Sequence, residues 1–311
     1  MKHTVQITIV LIAMFIITQL IGLFIISVYE SPNYDLPLEP PEEIKADNQG
    51  VGFLKQLIIA FVIAIFLFLF LTKIRAEILI RFWFFAVIII ALFLSFNAII
   101  YFSFDNPNMY TASIISLLIA FPLAYFKIFR RDIRVHNFTE LLIYPGIAAV
   151  FVPILNVLGI ILLLLAISLY DIWAVWHTEF MQKMARYQIE NLKFFTGFFI
   201  PYAGKKARLK IKHLREKYKS KKTLEKNLKK AKIKINLAIL GGGDIIFPII
   251  AAGVFLRIFR SPLSALIISL FATLALLFLF VLARKGKFYP AMPFITIGVY
   301  LGMIVNFLLL A

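Results

Sequence analysis

ILGGGDIIFP, residues 239–248, sets three glycines, an aspartate and a proline inside an otherwise apolar run. Glycine loosens a helix, and proline removes one backbone donor and presses on the carbonyl four residues back. That carbonyl belongs to Asp244, so a helix through this stretch is expected to kink or open at its only ionisable side chain. Such a weakened helix is tolerated in a membrane where the backbone lines a cavity.

The rest of the chain makes the membrane setting explicit. Of 311 residues 62% are hydrophobic and 16% charged, with 33 phenylalanines, more apolar surface than a soluble domain of this length can hide. Windows able to cross about 30 Å of hydrocarbon fall at 5–28, 53–72, 78–102, 111–126, 235–256, 262–283 and 289–310. The first is longer than a signal-peptide core and has no A-x-A site after it, so it is expected to be a retained span. Residues 141–176 are almost uninterrupted in apolarity, and one helix over them would run about 54 Å. A break near Pro153 and Asn156 divides them into two spans. The expectation is an all-α polytopic membrane protein of nine transmembrane helices, organised as a six-span bundle (1–178), a basic loop (179–234) and a three-span unit (235–311).

Lysine and arginine placement orients it. With the N-terminus cytoplasmic, every Lys and Arg except Lys45, Lys55, Arg257 and Arg260 falls on inner segments, which leaves the C-terminus external. Residues 177–234 hold 18 basic against 4 acidic side chains. In so apolar a chain this run is expected to lie against anionic headgroups rather than to bind nucleic acid. Within it, LKFFTGFFIPYAG (192–204) suggests an interfacial segment or a cover over a site. Residues 29–52 form an acidic, proline-rich external loop to which no function is assigned.

Sorting the sixteen acids leaves two inside spans, Asp171 and Asp244, while Asp132 and Glu140 fall in or beside cytoplasmic segments. An intramembrane charge costs about 2.5–3.5 kcal/mol, and neither aspartate has a basic partner in any span. Counted from Glu179 and Lys234, the two lie about 12 and about 15 Å deep on antiparallel spans, at one level. Small residues flank Asp171, where another backbone can approach. Two carboxylates sharing a proton can activate water for peptide hydrolysis: one takes a proton from the water, the other polarises the carbonyl. There is no cysteine, the four histidines have no ligand spacing, and GxSxG is absent, so neither a metal, a cofactor nor a serine nucleophile is expected. A proton-coupled secondary transporter using the same acids is the reading from another class, although no second GGGD-like break marks an inverted repeat.

Tyr170-Asp171, Gly241-Gly242-Gly243-Asp244 and Pro290-Ala291-Met292 together resemble the YD, GxGD and Pro-Ala-Leu elements of the presenilin and signal peptide peptidase family of intramembrane aspartyl proteases. Methionine replaces the family's leucine at Met292, and Gly242 stands where a bulky apolar residue is usual. The resemblance implies catalytic roles for Asp171 and Asp244. It implies substrate positioning around Tyr170, Gly241, Gly243, Pro290, Ala291 and Met292, on substrates that are single transmembrane helices or signal-peptide-like segments, partly unwound. The N-inside orientation is like that of presenilin, and the fit is to the archaeal presenilin-like group. A prepilin or preflagellin peptidase also uses a GxGD aspartate, but lacks the YD pair and the ninth-span motif. Prolines at 290 and 293 leave carbonyls without neighbouring donors, to which an extended substrate could pair. The sequence marks neither a partner subunit nor a second copy.

Overall fold

The computed structural model describes residues 5–31, 59, 63, 66, 67, 70, 77–104, 108–130, 132–176, 196–203, 235–283 and 289–310. Eight helices among these are long and apolar enough to cross a membrane, against the nine expected. The expected span at 53–72 lies mostly outside the described residues; Ile59, Ile63, Phe66, Leu67 and Phe70 are helical and exposed. The basic loop also lies outside them, save residues 196–203.

Helix α1 is Val5–Tyr29 and α2 is Glu77–Ser103. Helix α3, Met109–Tyr125, continues as a π-helical turn, Phe126–Arg130. Helix α4, Ile133–Phe151, starts eight residues before the apolar run at Leu141, because the Asp132 carboxylate caps it by accepting from the Arg134 amide at 2.7 Å. The expected break follows it. Val152–Ile154 forms a 3-10 turn containing Pro153, and the Asn156 side chain then accepts from the Gly159 amide at 2.7 Å to start α5, Val157–Trp176. Helices α6 (Gly242–Phe259), α7 (Pro262–Leu282) and α8 (Met292–Leu310) complete the bundle.

Helix α1 packs on α4, α6 and α7, while α8 lies against α7 and α5. In hydrocarbon, close fit and hydrogen bonding hold helices together. The α5–α8 seam shows both: Ser168 and Thr296 hydroxyls meet at 2.7 Å, and the Tyr300 hydroxyl donates to the Ile161 carbonyl at 2.5 Å. The exposed side chains are large and apolar, among them Trp83, Leu118, Leu308 and Phe278, as lipid-facing positions require.

One expectation fails at the opening stretch. Residues 235–241 are not the first turns of a span but a strand, β2 (Ile235–Gly241), paired antiparallel with β1 (Gly197–Ala203), with Gly197 opposite Gly241. The bundle is therefore all-α but for this hairpin, and the 192–204 segment supplies its first strand. Helix α6 starts only at Gly242, so the glycines are a strand-to-helix junction rather than a weakened helix interior.

The hairpin is fixed to α4 by side chains. Asn137 donates to the Phe199 carbonyl at 2.8 Å and accepts from its amide at 3.0 Å, and His136 Nε2 meets the Gly197 carbonyl at 2.8 Å. The outer edge of β1 is thus occupied. By two-residue alternation Pro201 has its nitrogen on that same edge, where no donor to β2 is missing. Phe198, Ala238 and Leu240 point inward and are buried with Leu11 and Phe15 of α1.

Candidate active site

Three chain segments meet at one end of the bundle: the last turns of α5, the start of α6 and the start of α8. Asp171 is buried, five residues before the end of α5. Its Oδ2 accepts from the Met292 amide at 3.0 Å, and the Ala291 amide also faces the carboxylate. Met292 is the first residue of α8, so its N–H has no partner within the helix and is available to an outside acceptor. This contact places the Pro290-Ala291-Met292 segment on the YD aspartate. Pro290 and Met292 are buried; Ala291 and Tyr170 are half-buried, the Tyr170 ring lying 6.3 Å from that of Trp173.

Asp244 sits in the first turn of α6, with Gly241 as the N-cap residue. Its side chain folds back toward Gly241: a Cβ at that glycine would stand 3.1 Å from Asp244 Oδ2. An acid at this position completes a capping arrangement and meets the positive end of the helix dipole. Asp244 and Asp171 lie within electrostatic range of each other. Asp244 is partly exposed and Gly243 is exposed, which leaves an approach to the pair. A side chain at Gly243 would have room, whereas a Cβ at Gly242 would press to 2.8 Å on the Tyr144 ring and hydroxyl.

Pro248 is buried inside α6 and cannot donate to the Asp244 carbonyl. The next carbonyl, of Ile245, accepts instead from Gln19 Nε2 of α1 at 3.1 Å, and the Gln19 Oε1 lies 3.5 Å from Ser269 Oγ. Gln19 was not singled out by the sequence reading, although a lone amide in an apolar span is the available signal.

A second group of polar side chains is buried inside the protein. Lys127 of the π-helical turn and Glu140 of α4 form an ion pair and are fully enclosed, with His136 Nε2 3.6 Å from Glu140 Oε1. The sequence places them in or beside cytoplasmic segments and does not show that they are buried against each other. Their enclosure follows from α3 and α4 extending past the apolar windows at both facing ends. Among the described residues no cluster of His, Cys, Asp and Glu could hold a metal.

The signal-peptide peptidase and presenilin aspartyl protease family model matches residues 9–311. Two solved structures of a presenilin family intramembrane aspartate protease, in the C222 and P2 space groups, are similar in fold, with TM-scores of 0.59 and 0.58 and identities of 17% and 18%. The first likeness covers 97% of this chain and 99% of the other, the second 96% of each. No curated protein matches. With eight apolar helices among the described residues, two acids within electrostatic range at one end of the bundle and a family match over nearly its whole length, the chain belongs to the signal-peptide peptidase and presenilin family of aspartyl proteases and is an intramembrane protease.

Proposed function

We propose that Asp171 and Asp244 are the catalytic pair of an endopeptidase that hydrolyses peptide bonds within transmembrane helices or signal-peptide-like segments. The observation that carries this is the convergence on one pair of acids of three segments, with the Met292 amide 3.0 Å from Asp171 Oδ2 and Asp244 across from it. No cation stands between the acids among the described residues, so two like charges within electrostatic range favour the state in which they share one proton.

In that state a water between them loses a proton to the ionised carboxylate as its oxygen bonds to the scissile carbonyl carbon. The protonated partner donates to the carbonyl oxygen, and a tetrahedral diol results. Collapse breaks the C–N bond as the amide nitrogen takes up the proton held by the first acid and one diol hydroxyl returns its proton to the second carboxylate. One carboxylic acid and one amine are released, and the pair again holds one proton. The amide on Asp171 leaves that side chain one fixed orientation, and the exposed Gly243 side provides entry.

A helical substrate offers no accessible carbonyl, so it must be locally extended before water can attack. The outer edge of β1 is taken by Asn137 and His136, whereas β2 has no second strand beside it among the described residues and runs directly into Gly241. An unwound substrate that adds to β2 would deliver its backbone to Asp244. Pro290 takes one backbone donor away from the start of α8. The N-terminus and the 179–234 loop are cytoplasmic in this reading, the loop resting on anionic headgroups, and the C-terminus is external.

The test uses purified protein in lipid with a tagged single-span peptide, read by mass spectrometry. Cleavage within the apolar stretch, lost in both Asp171→Asn and Asp244→Asn, is the expected result. Cleavage that persists in either variant rules out the proposed pair. A substrate with N-methylated amides at alternate positions before the scissile bond should lose cleavage in one register and keep it in the other; equal cleavage in both overturns strand addition.

A further inference from the structure

The buried cluster on α4 is aimed at the aspartate of the GGGD turn. His136, Glu140 and Tyr144 follow one another at four-residue spacing, so they stack on one helix face over about 12 Å. Lys127 closes the lower end by pairing with Glu140 Oε1. The upper end is Tyr144, which is buried, has its ring edge-on to Phe198 of β1 with centroids 6.1 Å apart, and fills the space a side chain at Gly242 would take.

Two polar atoms in this cluster are enclosed without a hydrogen bond: Glu140 Oε2 and the Tyr144 hydroxyl. The hydroxyl is near enough to interact with both Glu140 and Asp244. Enclosed polar groups are rarely left single, and a phenylalanine would fill the same space without one. The two orphans are complementary, since the hydroxyl can donate and the carboxylate can accept.

We propose that Tyr144 is a positioning residue for Asp244: its hydroxyl, held by Glu140 and through it by Lys127 and His136, sets how the Gly241–Gly243 junction presents the Asp244 carboxyl. The inference rests on the reading of Asp244 as catalytic only for its kinetic consequence. Its structural content, an oriented Asp244 side chain, stands by itself. A hydroxyl committed to Glu140 packs against Gly242 at a fixed height, and the two residues that follow are then fixed with it. His136 adds to the same alignment by holding β1 at Gly197, opposite Gly241.

The full-length protein in lipid bilayers tests this with Tyr144→Phe. The deciding measurement is the infrared carboxyl stretching band of Asp244, assigned as the band that disappears in Asp244→Asn. Loss of the hydroxyl is expected to shift or broaden that band. An unchanged band in Tyr144→Phe overturns the proposal, and a lowered melting temperature with an unchanged band does so too, since that is the mark of a merely structural role. With a cleavable peptide, kcat is expected to fall by about 3- to 10-fold, on the order of one hydrogen bond, with KM within about 2-fold. Should the wild type cleave nothing while the band still shifts in Tyr144→Phe, the positioning stands and the protease reading falls.

Discussion

The bundle holds carboxyl groups in two places and treats them oppositely. Glu140 is sealed between α3 and α4 with a lysine on one oxygen and a histidine beside it, so its charge is balanced inside the protein. Asp171 and Asp244 meet no cation among the described residues; they lie within electrostatic range of each other, and each accepts from backbone amides. A balanced pair has little to gain from reacting, whereas two like acids sharing a site exchange protons readily. Under the proposed function, the difference separates a charge that holds the structure from charges available for chemistry.

The strongest way to break that comparison is to neutralise each acid in turn. Asp171→Asn and Asp244→Asn keep shape while removing proton transfer, and cleavage should fall by at least the order of 10²–10⁴-fold in either. Melting temperature in the same lipid should stay at the wild-type value or rise, because an uncompensated acid has been removed. A large drop in melting temperature would mean that these acids are structural after all.

The paired acid should behave in the reverse sense. Lys127→Met leaves Glu140 enclosed without its cation and is expected to destabilise the fold by about 3–5 kcal/mol. Replacing both partners together, Lys127→Met with Glu140→Leu, should recover most of that loss, since apolar residues of similar volume are often neutral at such a site. Thermal unfolding of the single and double variants reads the difference. A Lys127→Met protein as stable as wild type would show the pair to be solvated.

The hairpin offers a smaller test. Asn137 bonds both the amide and the carbonyl of Phe199 on the outer edge of β1. Asn137→Ala should cost about 1–3 kcal/mol, felt locally, and hydrogen exchange at residues 197–203 should accelerate while that of α5 does not. Equal exchange in both proteins would indicate that the hairpin is held by its apolar face through Phe198 alone.

What the sequence showed and what it hid follow from the kind of signal each residue carries. Asp171 and Asp244 stand out because charge in an apolar run is rare, and the break at Pro153 and Asn156 because proline and asparagine end helices in a recognisable way. The strand at 235–241 is invisible by the same logic: seven mainly apolar residues fit a strand or a helix equally, and only the antiparallel partner 38 residues earlier decides. Lys127 and Glu140 were hidden differently. A charge next to an apolar window looks like a membrane boundary, and only the packing of α3 on α4 reveals that this lysine and glutamate neutralise each other indoors.

Met292 provides the smallest expected effect and the finest test of the comparison. Its hold on Asp171 is through the backbone, an N–H at the first position of α8, so the side chain is free to vary if volume is kept. Met292→Leu preserves that amide and nearly the same enclosed volume, and should cost less than about 1.5 kcal/mol in stability and change kcat/KM by less than about 3-fold. Met292→Pro removes the donor itself and should approach the loss seen on neutralising Asp171. If the leucine variant instead lost activity tenfold, the thioether rather than the amide would be what orients the acid, and Asp171 would depend on a side chain as Glu140 does.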